Sequence, residues 1–150
     1  MALRDMSDNF PIIEGTLLAS RYEVQAFLGE GSFGKVAKCV DTSTNTYSAI
    51  KITKDHPIIA AQALEEIKIL KELQSLDPDE CNFVRWAGLF YHQRFICLQF
   101  ELLDLSLRDY MKERHYQPLS VQCIRPVLHQ AFYFLPFSVL SSIKFFDKSE

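Results

Sequence analysis

The sequence predicts an α+β domain in which an antiparallel sheet and one long helix precede further helices. Three observations predict this class: alternating strand patterns over residues 22–52, an amphipathic helical pattern after Pro57, and two more apolar strand candidates up to residue 100. Short polar turns separate the first strands, which is typical of an antiparallel meander. We therefore expect a five-stranded antiparallel sheet and one long helix, followed by the first helices of a second, incomplete lobe.

Alternation of apolar and other side chains defines the first three strands, over residues 22–28, 35–40 and 47–52. The polar run 41–46 is a turn between the second and third of them. Residues 1–20 precede the strands as a lead-in segment, with Pro11 and Gly15 as breakers.

The long helix is predicted from apolar residues at helical spacing, which form one stripe. The members of this stripe are Leu64, Ile67, Leu70, Leu73 and Leu76. Pro57 suits the first turn of the helix, and Pro78 ends it. Beyond it, we expect strands at 83–87 and 95–100, then helices at 105–114 and from Val121.

Composition argues against two classes of partner. The 150 residues are 48% hydrophobic and 23% charged, and the net charge is −3. Because there is no basic surplus, we expect no binding to nucleic acid. The most apolar segment, 131–140, is too short to span a bilayer and contains Pro136, so we expect no membrane partner. The first ten residues lack the pattern of a secretory signal.

The chain contains four cysteines, and their spacing argues against a zinc site. Cys39, Cys81, Cys97 and Cys123 form no CxxC pair. Each lies in an apolar stretch, so we expect buried, reduced thiols in an intracellular protein.

The strongest motif, Gly29–Val36, reads GxGxxGxV. Glycine lets backbone amides approach a phosphate closely, because no side chain intervenes. A dinucleotide-binding turn has similar letters but requires a helix directly after the glycines, and here a strand pattern follows. The context favours a strand–loop–strand lid over phosphates, and a glycine-rich hairpin without a ligand stays open as the alternative.

Two charged residues are candidates for the phosphate-binding chemistry. Ala49 and Lys51 share one face of a strand, where a small residue leaves room for a flat base and an ammonium reaches phosphates. A solvent-facing lysine is the alternative. Glu66, in the predicted helix, can hold such a lysine in place. Glu65 competes for this role, and a solvated surface charge is the default for either glutamate.

The stretch 98–104 begins as an apolar strand and contains the acidic residue Glu101 where the strand ends. We interpret it as a segment that binds adenine through its backbone, with an ordinary core strand as the alternative. Together with the motifs above, it resembles the small lobe of protein kinases, over residues 22–130. Three runs narrow the resemblance to the homeodomain-interacting protein kinases, relatives of the dual-specificity tyrosine-regulated kinases: 82–85, 100–107 and 118–130.

The resemblance implies ATP as the cofactor and a role for each matching position. The implied ATP-binding residues are Leu28, Gly29, Gly31, Gly34, Val36, Ala49, Lys51, Phe100, Glu101 and Leu103. Leu28, Val36 and Ala49 would enclose the adenine, and the glycines would cover the phosphates. Lys51, paired with Glu66, would contact the phosphates. Phe100 would be the gatekeeper, and the last two positions would offer backbone groups to the adenine.

The sequence departs from the family in two places. Gln99 stands where such kinases carry an aliphatic residue, and a polar group there needs a partner. After Gln130, we find neither a catalytic loop nor Asp-Phe-Gly. Mg²⁺ is expected for the family but its ligands are absent, so we assign no metal ligand and no proton-transfer residue. We therefore expect a kinase truncated before its catalytic loop.

These observations divide the chain into a lead-in at 1–20, a small lobe with hinge at 21–104, the start of a large lobe at 105–130, and a divergent apolar tail at 131–150. We expect a protein serine/threonine kinase domain, with tyrosine as a second acceptor, whose partners are ATP and a protein. Its compartment would be the nucleus, the cytoplasm or both. The alternative is a catalytically inactive truncated kinase that binds a nucleotide or a partner. A small Rossmann-type cofactor binder is disfavoured by the strand after the glycines.

Overall fold

The computed structural model describes residues 8–81 and 83–134. The strands in these ranges are β1 (Leu17–Leu18), β2 (Tyr22–Gly31), β3 (Gly34–Asp41), β4 (Thr46–Thr53), β5 (Trp86–His92) and β6 (Phe95–Glu101). The helices are α1 (Pro57–Leu73), α2 (Pro78–Cys81), α3 (Leu107–Glu113) and α4 (Val121–Phe134). All strand pairings are antiparallel, in the order β1-β2-β3-β4-β6-β5. The predicted α+β class is confirmed.

The described chain forms two compact units. The first contains the residues up to Ile67 together with Trp86–Leu102, and therefore the whole sheet. The second contains Lys68–Arg85 and the residues from Leu103 onwards, and therefore α2, α3 and α4.

The sheet has six strands rather than the expected five, because β1 forms within the lead-in segment. Leu17 pairs with Glu23, and Leu18 pairs with Tyr22. Leu18 is fully buried, and the burial of this side chain stabilises the pairing. A strand of two residues is too short to show an alternating pattern, so the sequence did not reveal it.

Helix α1 buries Ile67 and Leu70 of the expected stripe, but Ala63 takes the inward position expected for Leu64. Ala63, Ile67 and Leu70 are buried, at a spacing of four and three residues, whereas Leu64 is 49% exposed. Leu64 lies one residue, or about 100°, away from Ala63 around the helix, so only one of the two can face inward. Ala63 was not part of the expected stripe, which contained only large apolar residues.

Several element ends differ from the sequence prediction, and α1 ends at Leu73, before Leu76 and Pro78. Strand β5 begins at Trp86 rather than near Phe83. Helix α3 begins at Leu107 because Ser106 caps it: the Ser106 hydroxyl accepts a hydrogen bond from the Asp109 N–H. Helix α4 begins at Val121 as expected and runs to Phe134, and Pro136, the expected helix breaker, lies outside the described residues.

The hydrophobic core covers one face of the sheet. Its strand residues are Tyr22, Val24, Ala37, Cys39, Ile50, Ile52, Phe95 and Cys97, joined by Leu18. Phe10 and Ile12 of the lead-in segment cover this face. The Phe10 ring meets Phe95 edge-on, at 5.3 Å between ring centroids. Residues 10–18 of the lead-in segment are therefore part of the folded unit.

The cysteines are only partly as expected. Cys39 and Cys97 are buried, and burial raises the pKa of each thiol to about 12, so both are held as unreactive thiols. The expectation of a buried Cys123 is wrong, because this residue lies on an exposed part of α4.

An ion pair joins Arg21, which directly precedes β2, to Asp41, the last residue of β3. Arg21 donates to both carboxylate oxygens of Asp41, at 3.0 Å from Nε and 2.6 Å from Nη2. Ser43 donates to the same carboxylate through its N–H and its hydroxyl. The hydrogen bonds from Arg21, and then those from Ser43, hold the pKa of Asp41 well below its ordinary value.

We expect Asp41→Asn to be less stable than the wild type at neutral pH and to lose less stability in acid. In the wild type, the unfolded chain takes up a proton near the ordinary carboxyl pKa of about 4, while the folded protein resists it, so unfolding becomes easier as the pH falls through this range. Urea unfolding midpoints at pH 3, 4 and 6 measure this, with the exposed Asp104→Asn as the control. Equal pH dependence of Asp41→Asn and the wild type would contradict the assignment.

Candidate functional site

A lysine and a glutamate meet on the face of the sheet opposite the core. Lys51, on β4, donates to both carboxylate oxygens of Glu66 on α1, at 2.7 and 3.0 Å. Their side chains are only 12% and 16% exposed. Glu65, the competing glutamate, is exposed. The structure thus brings Lys51 together with Glu66, and the two charges compensate each other where water is largely excluded.

Local structure explains why the pair forms. Ile50 and Ile52 of β4 are buried in the core, so Lys51 must point to the opposite face. Glu66 lies on α1 between the buried Ala63 and Ile67, which turn that side of the helix inward. An ammonium has three N–H donors, and two bonds to Glu66 leave one for another acceptor.

The glycine motif is a tight connection between β2 and β3. Gly31 pairs with Gly34 and Gly29 with Val36, so Ser32 and Phe33 form the exposed tip. The motif lies beside the lysine, since Val36 is in turn opposite Lys51. A strand follows the glycines, as the sequence analysis expected.

The glycines of the motif differ in what the fold requires of them. Gly34 has a φ of +149°, and a Cβ there would lie 2.1 Å from the Ile52 carbonyl oxygen. At Gly29 and Gly31, a Cβ would meet nothing within 4 Å. The fold therefore demands glycine at position 34 only.

The other predicted adenine-site residues are distributed along the same strands. Ala49 is opposite Phe100, which is buried, and Glu101 is opposite Ser48. Leu28 is 48% exposed and lies at a register shift between Phe27 and Gly29, the kind of β-bulge that redirects a side chain. The last predicted position, Leu103, belongs to the second unit and is exposed.

The polar residue next to Phe100 finds its partners on the core side of the sheet. The Gln99 side-chain oxygen accepts from the Tyr22 hydroxyl at 3.0 Å, and its Nε2 donates to the Ser48 hydroxyl at 2.9 Å. Burial raises the pKa of Tyr22, which keeps its hydroxyl as a donor. Neither partner was predicted from the sequence. Gln99 lies two residues after the buried Cys97 in the same strand, so its side chain could have been expected to point to the core side.

In residues 8–81 and 83–134, no group of three or more His, Cys, Asp and Glu side chains is placed to hold a metal ion. No helix in these ranges is long and apolar enough to cross a membrane.

A family model described as the protein kinase domain matches residues 22–135. The chain belongs to the protein kinase domain family. Its sheet and α1 are those of a kinase small lobe, and α3 and α4 are first helices of a kinase large lobe. The similarity to the homeodomain-interacting kinases that the motifs indicated is also confirmed, by comparison with individual kinases.

The relatives of this kinase domain include homeodomain-interacting protein kinase 1 of Mus musculus, 43% identical over 125 residues, which cover 81% of this chain and 10% of that protein. Homeodomain-interacting protein kinase 2 of Mesocricetus auratus is 44% identical over 113 residues, covering 75% of this chain and 10% of that protein. Dual specificity tyrosine-phosphorylation-regulated kinase 2 of Drosophila melanogaster is 37% identical over 122 residues, which cover 81% of this chain and 17% of that protein. The chain thus spans about a tenth of the two homeodomain-interacting kinases.

We expect Gly34→Ala to destabilise the kinase small lobe by about 2 kcal/mol or more, because its Cβ would collide with backbone that cannot move aside. Gly31→Ala is the matched control and should change the free energy of unfolding by no more than about 0.5 kcal/mol. Urea denaturation followed by circular dichroism measures both. Similar losses in the two variants would show that the loop constrains its glycines equally.

Proposed function

We propose that this chain is the ATP-binding part of a protein serine/threonine kinase that also accepts tyrosine. The observation that supports it most is the Lys51–Glu66 pair on the face of the sheet opposite the core, beside the glycine motif. The pair holds an ammonium in a fixed position, with one N–H left for an oxygen of the ligand.

The glycine motif supports the same proposal from a different direction. The fold leaves room for a side chain at Gly29 and Gly31, so the protein's own packing does not explain why these residues are glycines. A ligand that approaches the backbone closely would explain them. Phosphate oxygens suit this role because successive backbone N–H groups bind anions.

The base would lie further along the same strands. Ala49 is small, so it leaves space for a flat ring next to Leu28 and Val36. Phe100, opposite Ala49, would limit the depth of this space. We propose that Glu101 supplies a backbone group that binds the adenine edge, as the kinase resemblance implies.

A protein-held magnesium ion is outside this proposal. The sequence contains no Asp-Phe-Gly, and the residues that the structure describes include no cluster of acidic side chains that fits such an ion. What the chain's own residues supply is the position of the nucleotide and one cation for its phosphates. We place this kinase inside the cell, in the nucleus or the cytoplasm, with a protein as its second partner.

We expect the chain to bind ATP saturably and Lys51→Ala to weaken binding about 10- to 100-fold, the value of one charge-assisted hydrogen bond. Isothermal titration calorimetry without added metal measures the affinities. Lys71→Ala removes the same charge from an exposed position in the last turn of α1 and should bind like the wild type. Absence of saturable binding, or equal binding by Lys51→Ala, would refute the proposed nucleotide site.

A second candidate function is a catalytically inactive kinase fragment that binds a nucleotide or a partner protein. One observation favours it: α4 exposes several apolar side chains. These are Val121, Ile124 and Leu128, with exposures of 69%, 36% and 50%. Exposed apolar groups on one helix are available for a partner.

A phosphate-transfer assay tests whether the isolated chain is inactive. We expect the isolated 150-residue chain to transfer phosphate no faster than Lys51→Ala. The loss of a general base alone lowers rates about 100- to 10,000-fold, and the metal ligands are missing as well. Labelled ATP and a generic basic protein substrate measure the transfer. Turnover clearly above that of Lys51→Ala would reject the inactive fragment and show that other residues supply the chemistry.

A further inference from the structure

The aromatic tip of the glycine motif reaches the same ammonium that Glu66 holds. The Phe33 ring centroid lies 5.5 Å from Lys51 Nζ, within the range of a cation–π interaction. Phe33 is nevertheless 45% exposed. Hydrophobic burial therefore does not fully explain the position of the ring. Its specific contact is with the charged ammonium of Lys51.

The loop backbone is fixed independently of this ring. The Lys54 N–H donates to the Phe33 carbonyl oxygen at 3.0 Å, and Gly34 lies opposite Thr53 at the end of β4. Gly34 also lies close to the Ile52 carbonyl, which fixes the same part of the loop backbone. Because these are backbone contacts, the ring can leave Lys51 by side-chain rotation while the loop stays attached to β4.

We propose that Phe33 is a gate residue that sets which ligands bind at Lys51, an inference that rests on the proposed nucleotide site. Glu66 takes two of the ammonium's donors, and the Phe33 ring covers the ammonium as well. A phosphate-bearing ligand must displace the ring to reach the charge. A nucleoside without phosphates has no group that needs Lys51, so the ring does not oppose its binding. Phe33 therefore lowers the preference of the site for phosphorylated ligands.

The expected size follows from the strength of the contact. A partly exposed cation–π contact of ordinary strength leaves the ring away from the ammonium in about a sixth to a third of the molecules. The apparent affinity for a ligand that needs the open state is reduced by the same fraction. Removal of the ring should thus tighten ATP binding about three- to sixfold and leave adenosine binding unchanged.

Phe33→Ala tests this by calorimetric titration of ATP and adenosine without added metal. The matched control is Tyr47→Ala, which removes another exposed ring that lies 4.6 Å from a lysine, Lys38. The proposal expects the ratio of ATP to adenosine affinity to rise in Phe33→Ala and to stay at the wild-type value in Tyr47→Ala. An unchanged or lower ratio in Phe33→Ala overturns it.

A second measurement separates the gate from the nucleotide site. An amine-reactive acylating reagent, followed by mass spectrometry of Lys51 relative to the exposed Lys71, reports how well the ammonium is covered. Faster labelling of Lys51 in Phe33→Ala supports the contact, and unchanged labelling overturns it. If labelling rises but neither protein binds ATP or adenosine, the proposed function fails, and the ligand gate fails with it.

Discussion

Because successive side chains of a strand point to opposite faces, the burial of Ile50 and Ile52 leaves Lys51 on the far side of β4 from the core. A shift of one residue in the pairing of this strand would exchange the two sets. It would bury an ammonium and expose two isoleucines, each worth about 1.5–3 kcal/mol when buried. The hydrophobic core therefore determines the position of the lysine.

Helix α1 supplies the opposite charge by the same principle. Ala63, Ile67 and Leu70 are apolar and buried, and Glu66 is carried inward with them. The ion pair gains little from Coulomb attraction alone, because both groups lose water when they approach. Apolar packing on two separate elements brings the charges together, and the pair then fixes which N–H of the ammonium is left for other groups.

Features with a periodic or local signal could be predicted from the sequence. The strands β2, β3 and β4, the glycine connection and the position of Lys51 follow from alternation and spacing, and Glu66 followed from the family motif. Other features had no such signal. The partners of Gln99 lie 77 and 51 positions away in the chain, so only the sheet order brings them together. The Phe33–Lys51 contact depends on how a loop tip is attached to β4, which no spacing rule describes.

The packing of Phe10, Ile12 and Leu18 on the core face of the sheet limits where a shortened form of this kinase domain can begin. The family match begins at Tyr22, so a protein produced from that residue would seem complete by sequence. It would lack β1 and the side chains that cover Phe95 and its neighbours, and would present a bare apolar sheet to water. Such a surface drives aggregation during expression and purification. The folded domain begins at least twelve residues before the family boundary, at Phe10.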